Sequence, residues 1–205
     1  MPRGARAKPS TYAERVRAAL AALQIPPELP PGRGLRLCPE ARKLVVAEID
    51  ACGREQRLVP AAAAAWRAMK AAAADADVAL HLVSAFRSFE RQCEIVRAKL
   101  AAGQSLKRIL EVSAPPGYSE HHTGRAIDIG ARENDPLDEA FDTTAAFAWL
   151  TRNAASHGFA LSYPRGNRYG YRYEPWHWLY HPRRGRAGAR RIIGGGKRTH
   201  AEESA

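Results

Sequence analysis

Two short segments of this 205-residue chain carry side chains whose types and spacing suit metal-assisted hydrolysis. The first is Ser119-Glu120-His121-His122-Thr123-Gly124-Arg125-Ala126-Ile127-Asp128. A catalytic zinc ion takes three nitrogen or oxygen ligands from the protein and keeps one position open for water. His121 and Asp128 offer one ligand of each kind, with Gly124 allowing a tight turn between them. The second segment is Tyr173-Glu174-Pro175-Trp176-His177-Trp178. If His177 completes the ligand set, Glu174 stands three residues upstream, close enough to take a proton from water without binding the ion. Pro175 stiffens that connection. In an extended strand, Trp176 and Trp178 face away from His177.

Neither pattern is persuasive alone. With 7 His, 7 Asp and 14 Glu in the chain, random placement gives His-x6-Asp roughly 0.2 times and Glu-x-x-His roughly 0.5 times. Their joint occurrence, with Ser, Gly, Ala and Trp around them, carries the argument. His122 has Ile129 rather than Asp seven residues on, so it is expected behind the ligands or in a cleft wall. His81, His157, His181 and His200 have no chemical context and are expected to be structural or exposed.

Together with Ser84-Ala85-Phe86-Arg87-Ser88-Phe89-Glu90-Arg91-Gln92, these segments resemble the VanY-type D-alanyl-D-alanine carboxypeptidases. That family belongs to a wider zinc peptidase group with D-Ala-D-Ala dipeptidases, L,D-carboxypeptidases, some phage endolysins and the hedgehog domain. The resemblance covers about residues 78–180. It implies one zinc ion on His121, Asp128 and His177, a general base at Glu174 and a cationic transition-state stabiliser at Arg87. It further implies substrate contacts at Ser119, Gln92 and Trp176. The implied reaction removes the terminal D-Ala from peptidoglycan stem peptides. An L,D-carboxypeptidase, an endolysin-like endopeptidase and a non-catalytic zinc-stabilised binding module are alternatives that share the metal site. The chemistry is self-consistent: the metal makes water nucleophilic near neutral pH, a carboxylate accepts its proton, and a cation steadies the oxyanion.

The elements that position these residues follow from periodicity. Thr11 to Leu23 reads as a helix capped by Ser10 or Thr11, broken by the Pro- and Gly-rich stretch from Pro26 to Gly34. Residues 39–52 have helical spacing at Leu44, Val45, Ile49 and Cys52, with Gly53 placed to end a helix. Pro60 opens an Ala-rich helix to about Ala74. Val78 to Ser84 is a strand, Ser88 starts a helix, and Arg87 stands at the strand exit between them. Arg125 to Ile129, Phe159 to Tyr163 and Trp176 to Tyr180 read as strands, and Thr143 to His157 as a helix. Early helices and late strands without regular β-α-β alternation predict an α+β fold with an antiparallel sheet. The resemblance implies the same, a small sheet flanked by helices of the hedgehog/DD-peptidase type. The expected organisation is a helix and Pro/Gly-rich arm over 1–34, a zinc peptidase domain over 35–182 and a basic Gly-rich tail over 183–205.

Composition sets the outer limits. A chain with 45% hydrophobic and 26% charged residues can bury one core. No apolar run is long enough for a membrane span, and Glu14, Arg15 and Arg17 interrupt any apolar signal core. Cell envelope or periplasm is expected only from the implied substrate. The net charge of +11 divides into about +5 for residues 1–57, +1 for 58–182 and +5 for 183–205. Basic ends around a near-neutral centre favour attraction to an anionic polymer such as cell-wall material. The same ends would also attract nucleic acid, but a dedicated nucleic-acid reader is not expected because no aromatic-basic motif is present. Cys38, Cys52 and Cys93 lack metal-knuckle spacing and are read as ordinary thiols, with a Cys38–Cys52 bridge as a lesser alternative.

Overall fold

The computed structural model describes residues 11–26, 34–50, 52–131 and 136–182. The Pro/Gly-rich stretch over 27–33, the basic tail from 183 onward and His200 lie outside them. The element order is α1 (Tyr12–Ala22), β1 (Val45–Ile49), β2 (Glu55–Leu58), α2 (Pro60–Ala74), β3 (His81–Ser84), α3 (Phe89–Ala101), α4 (Leu106–Val112), β4 (Ala126–Gly130), α5 (Ala145–Asn153), β5 (Phe159–Leu161) and β6 (His177–Tyr180). The strands form a two-stranded sheet, β1-β2, and a four-stranded sheet in the order β3-β4-β6-β5, with every pairing antiparallel. The fold is α+β, as the periodicity predicts.

Local chemistry explains most boundaries. Thr11 and Glu14 form a reciprocal capping box at the start of α1: Thr11 Oγ1 accepts from the Glu14 N–H, and the Glu14 carboxylate accepts from the Thr11 N–H. Pro60 occupies the first turn of α2, where its missing N–H costs nothing. Ser88 caps α3 through the Arg91 N–H, and the Glu40 carboxylate accepts from the Phe89 N–H at 2.8 Å. The helix expected over Thr143 to His157 is α5 followed by a 3₁₀ turn over Ala154–His157. The short helix α4, opened by Ser105, has no counterpart in the sequence reading.

Residues 39–52 are not helical. Val45–Ile49 is a strand paired with β2, and Gly53 sits in the hairpin turn at φ +76°. The turn is tied by Asp50, whose Oδ1 accepts the N–H groups of Cys52 and Arg54 at 2.9 Å each. Three β-branched residues, Val45, Val46 and Ile49, favour the pleated conformation. A bulge between Val46 and Glu48 breaks strict alternation, which is what let the spacing pass for a helix. Cys38, Cys52 and Cys93 are all free thiols, and Cys52 is exposed.

Among the described residues, two hydrophobic clusters hold the elements together. The larger joins one face of the four-stranded sheet (Leu82, Ile127, Ile129, Trp178) to α2 through Trp66 and Met69 and to α5 through Trp149 and Leu150. The second joins α1 (Val16, Leu20) to α3 (Phe89, Cys93, Val96) and α4 (Ile109, Leu110). The helix expected to belong to an N-terminal arm is therefore packed onto the body. It comes close to Gly117, φ +89°, where a Cβ would overlap Val16 Cγ2 and lie 2.9 Å from Val16 Cγ1.

Gly117→Ala therefore combines backbone strain with overpacking and is expected to cost about 2–4 kcal/mol in urea unfolding. Adding Val16→Ala should relieve the steric part alone, so the two substitutions should couple by at least about 0.5 kcal/mol in a double-mutant cycle. Strict additivity would refute the contact.

Candidate metal centre and active-site cleft

Asp128 lies in the middle of β4, and its register partners are Ser84 at the end of β3 and His177 at the start of β6. Cross-strand partners project from the same face. Ser84, Asp128 and His177 thus form a row across the sheet, opposite the face where Ile127, Ile129 and Trp178 enter the core. His121 arrives from a 3₁₀ turn, Glu120–Thr123, closed by Gly124 at φ +62°. A side chain at Gly124 would also press on Leu44 Cδ2 at 2.9 Å.

The three side chains converge. His121 Nε2 is 3.2 Å from Asp128 Oδ2, and His177 Nδ1 is 2.9 Å from Asp128 Oδ1. One donor atom from each residue lies within 4.8 Å of the others, and all three residues are buried. Tetrahedral zinc with ligands at about 2.0–2.1 Å separates those ligands by about 3.3 Å. The donor spacing and the nitrogen-oxygen-nitrogen set fit one such ion. His121 Nδ1 is 2.6 Å from the Ala85 carbonyl and donates to it, so its Nε2 lone pair points toward Asp128. His122 is fully buried and has both nitrogens engaged: Nδ1 donates to the Arg87 carbonyl at 2.7 Å and Nε2 accepts from the Gly117 N–H. It has no lone pair to offer an ion.

The remaining candidates divide between the cleft and its support. Arg87, Ser119, Glu174 and Trp176 line the same cleft of about 110 Å³ as the three convergent residues. Arg87 donates to Gln92 Oε1 at 3.1 Å and to Ser84 Oγ at 3.3 Å. Gln92 is fully buried, and its amide nitrogen donates to the Ala114 carbonyl at 2.6 Å. It faces Arg87 rather than the cleft. Trp178, as expected from strand alternation, is in the core, and its indole N–H donates to the Pro175 carbonyl. His157 stacks on Trp149.

Burial dominates the electrostatics of this region. It pushes the Glu174 carboxyl up to about 7, with Asp128 adding to the rise and His177 opposing it. Burial also lowers His121, which favours a neutral ring. For Asp128, burial is outweighed by His121 and by the hydrogen bond from His177, which hold the carboxyl well below its usual range. For His177, burial is outweighed by hydrogen bonds to Asp128 and Glu120, and the ring is held up to about 10. A ring that donates to carboxylates from both nitrogens must carry two protons, and a cation beside Nδ1 can take the place of one of them.

Several residues here were not legible in the sequence. Glu120 contacts His177 from 57 positions away, and Tyr163 stacks on the His177 ring with centroids 4.6 Å apart. Ser113 lines the cleft and accepts from Lys99 Nζ at 2.6 Å, with burial lowering the lysine. Only the position of Glu120 next to His121 offered a signal.

Residues 55–183 match the family model described as VanY: D-alanyl-D-alanine carboxypeptidase. The putative carboxypeptidase YodJ of Bacillus subtilis (strain 168) is 39% identical over 122 residues, covering 58% of this chain and 44% of that protein. The chain spans between 28% and 66% of the length of the curated relatives it matches. The solved structure of the LdcB LD-carboxypeptidase superposes with a TM-score of 0.63 at 35% identity, covering 69% of each chain. A mutant of the vancomycin-resistance D,D-pentapeptidase VanY in complex with Zn(II) gives 0.51 at 27% identity, covering 72% of this chain and 88% of that one.

Gln92→Leu preserves volume but strands the Ala114 carbonyl and one edge of Arg87. It is expected to lower unfolding stability by about 1–3 kcal/mol. An unchanged denaturation midpoint would show that water replaces the amide and that Gln92 does not hold Arg87.

Proposed function

The chain belongs to the VanY D-alanyl-D-alanine carboxypeptidase family, and from that premise we propose that it is a zinc-dependent carboxypeptidase that removes the terminal D-Ala from D-Ala-D-Ala-ended peptidoglycan stem peptides. The observation that carries this reading is the convergence of three metal-type donors, a carboxylate of raised pKa and a guanidinium on one cleft. His121 Nε2, Asp128 and His177 Nδ1 would hold a single ion. Zinc bound there supplies a Lewis acid that makes water nucleophilic near neutral pH and polarises the scissile carbonyl.

The chain's own residues do the rest. The Glu174 carboxylate accepts the proton of the attacking water and passes it to the departing amine, so one group serves as base and then as acid. Its raised pKa suits both roles. Arg87, steadied by Gln92 and Ser84, donates to the substrate carbonyl oxygen as negative charge develops. Ser119 and Trp176 contact the peptide from the cleft wall, and Gln92 acts through Arg87. A peptidoglycan substrate would place the enzyme in the cell envelope.

A second reading, cleavage of the tetrapeptide's final bond by L,D-carboxypeptidase action, is favoured by the similarity to LdcB. Both reactions use the same metal site and differ in how the cleft accepts the residue before the cut. Mass spectrometry of defined muropeptides distinguishes them: loss of one Ala from pentapeptide supports the first, and an intact pentapeptide beside a trimmed tetrapeptide sinks it.

Glu174→Gln should reduce kcat by about 10²–10⁴-fold while one zinc ion remains bound per chain. A base must be ionised, so kcat/KM should fall as pH drops through the Glu174 pKa. A neighbouring dication favours the carboxylate, which places that acidic limb at or below about pH 7. Full activity in Glu174→Gln would refute the assignment.

A further inference from the structure

The His177 ring is held from both sides. Its Nδ1 is 2.9 Å from Asp128 Oδ1, and its Nε2 is 3.0 Å from Glu120 Oε2. The two ring nitrogens point in divergent directions, so Glu120 lies behind the ring as seen from the convergent donors, and it is not one of them. Glu120 is itself fixed. The same Oε2 accepts from Ser162 Oγ at 2.7 Å, and the Ser162 N–H donates to the His177 carbonyl at 3.2 Å. Ser162 follows β5 directly, and the next residue, Tyr163, covers the His177 ring.

A neutral imidazole carries one N–H and one lone pair. If the proton sat on Nδ1, it would be donated to Asp128, and one hydrogen bond would occupy two of the three metal donors. If it sits on Nε2, Nδ1 is free to bind and Asp128 keeps both oxygens. Only an acceptor behind the ring distinguishes these tautomers. His121 shows the mirror arrangement: the Ala85 carbonyl takes its Nδ1 proton and leaves Nε2 facing inward. A backbone carbonyl performs that task for His121, and a side chain performs it for His177.

We infer that Glu120 is a positioning residue that accepts the His177 Nε2 proton, fixes the tautomer presenting Nδ1 to zinc, and with Asp128 matches the ion's double positive charge. Ser162 orients Glu120 for that role. The inference rests on His121, Asp128 and His177 being the zinc site.

The test is zinc titration against a competing chelator for the wild type, Glu120→Ala, Glu120→Gln, Ser162→Ala and Asp128→Ala. It is paired with long-range ¹H–¹⁵N NMR of the imidazole nitrogens in the zinc-loaded wild type. Glu120→Ala should weaken zinc binding by about 10–100-fold. Glu120→Gln, whose amide oxygen still accepts the Nε2–H, should recover most of that loss, and Ser162→Ala should fall between the wild type and Glu120→Ala. The NMR should show His177 protonated at Nε2 and metallated at Nδ1. Zinc binding within twofold of wild type in Glu120→Ala, or a His177 proton on Nδ1 in the loaded protein, would overturn the inference. Should Glu120→Ala fail to fold, the wild-type spectrum decides alone. Wild-type zinc binding that is lost in Asp128→Ala upholds the site itself whatever Glu120→Ala does, and a wild type that takes up no zinc overturns both.

Discussion

The site depends on the antiparallel register between β4 and β6. Asp128 and His177 are direct partners in that ladder; Ile127 and Ile129 flank Asp128 and Trp178 follows His177, all three committed to the opposite face. Because side chains alternate, a slip of one residue would send Asp128 toward α2 and α5 and bring Ile127 or Ile129 into the cleft. Burying an unpaired carboxylate while exposing an isoleucine is strongly unfavourable. The packing of Ile127, Ile129 and Trp178 against Trp66 and Leu150 therefore fixes the positions of the two polar residues behind them. Core and site share one constraint, read from opposite faces of the same strands.

The second determinant is the Ala85–Arg87 segment between β3 and α3. The Ala85 carbonyl accepts from His121 and the Arg87 carbonyl accepts from His122, while the Arg87 N–H donates to the His121 carbonyl. Two consecutive histidines are thereby given opposite fates by carbonyls two residues apart. The Arg87 side chain leaves the same segment toward the cleft. One stretch of backbone orients a metal donor, occupies its impostor and launches the guanidinium.

How much of this was readable from sequence follows from how local each cause is. Helices α2 and α3 announce themselves through Pro60 and Ser88, and β4 and β6 through apolar alternation around Asp128 and His177. The helix expected over residues 39–52 fails because a bulge gives the short apolar run of β1 a helix-like spacing. The short α4 lacks the length that makes a period visible. Glu120 was hidden for a different reason: its role is a contact across 57 residues, made when the β5–β6 end of the sheet meets the turn that carries it. Gln92 was recognisable as part of the motif, yet its reach to Arg87 and Ala114 instead of the cleft depends on the packing of α3. Spacing identifies donors near one another in sequence, whereas the groups that orient those donors come from the tertiary fold.

Glu174 poses a separate problem, since the proposed base must stand near the candidate metal donors without joining them. Its Oε2 is 3.9 Å from His177 Nδ1, so proximity alone does not keep it apart. The backbone does. The His177 N–H donates to the Glu174 carbonyl, and the Glu174 N–H donates to the Tyr163 carbonyl, so the turn is closed at both ends. Pro175 restricts φ within it, and the Trp178 indole holds the Pro175 carbonyl from the core side. Glu174 and His177 thus move as one unit, anchored by a buried tryptophan. Asp128 and Glu120 already stand against the two His177 ring nitrogens, which leaves Glu174 as a third carboxylate in the same region. Its elevated pKa follows first from burial, with Asp128 and Glu120 adding to the rise and His177 and Arg87 opposing it, and a carboxyl in this range can exchange a proton in both directions near neutral pH.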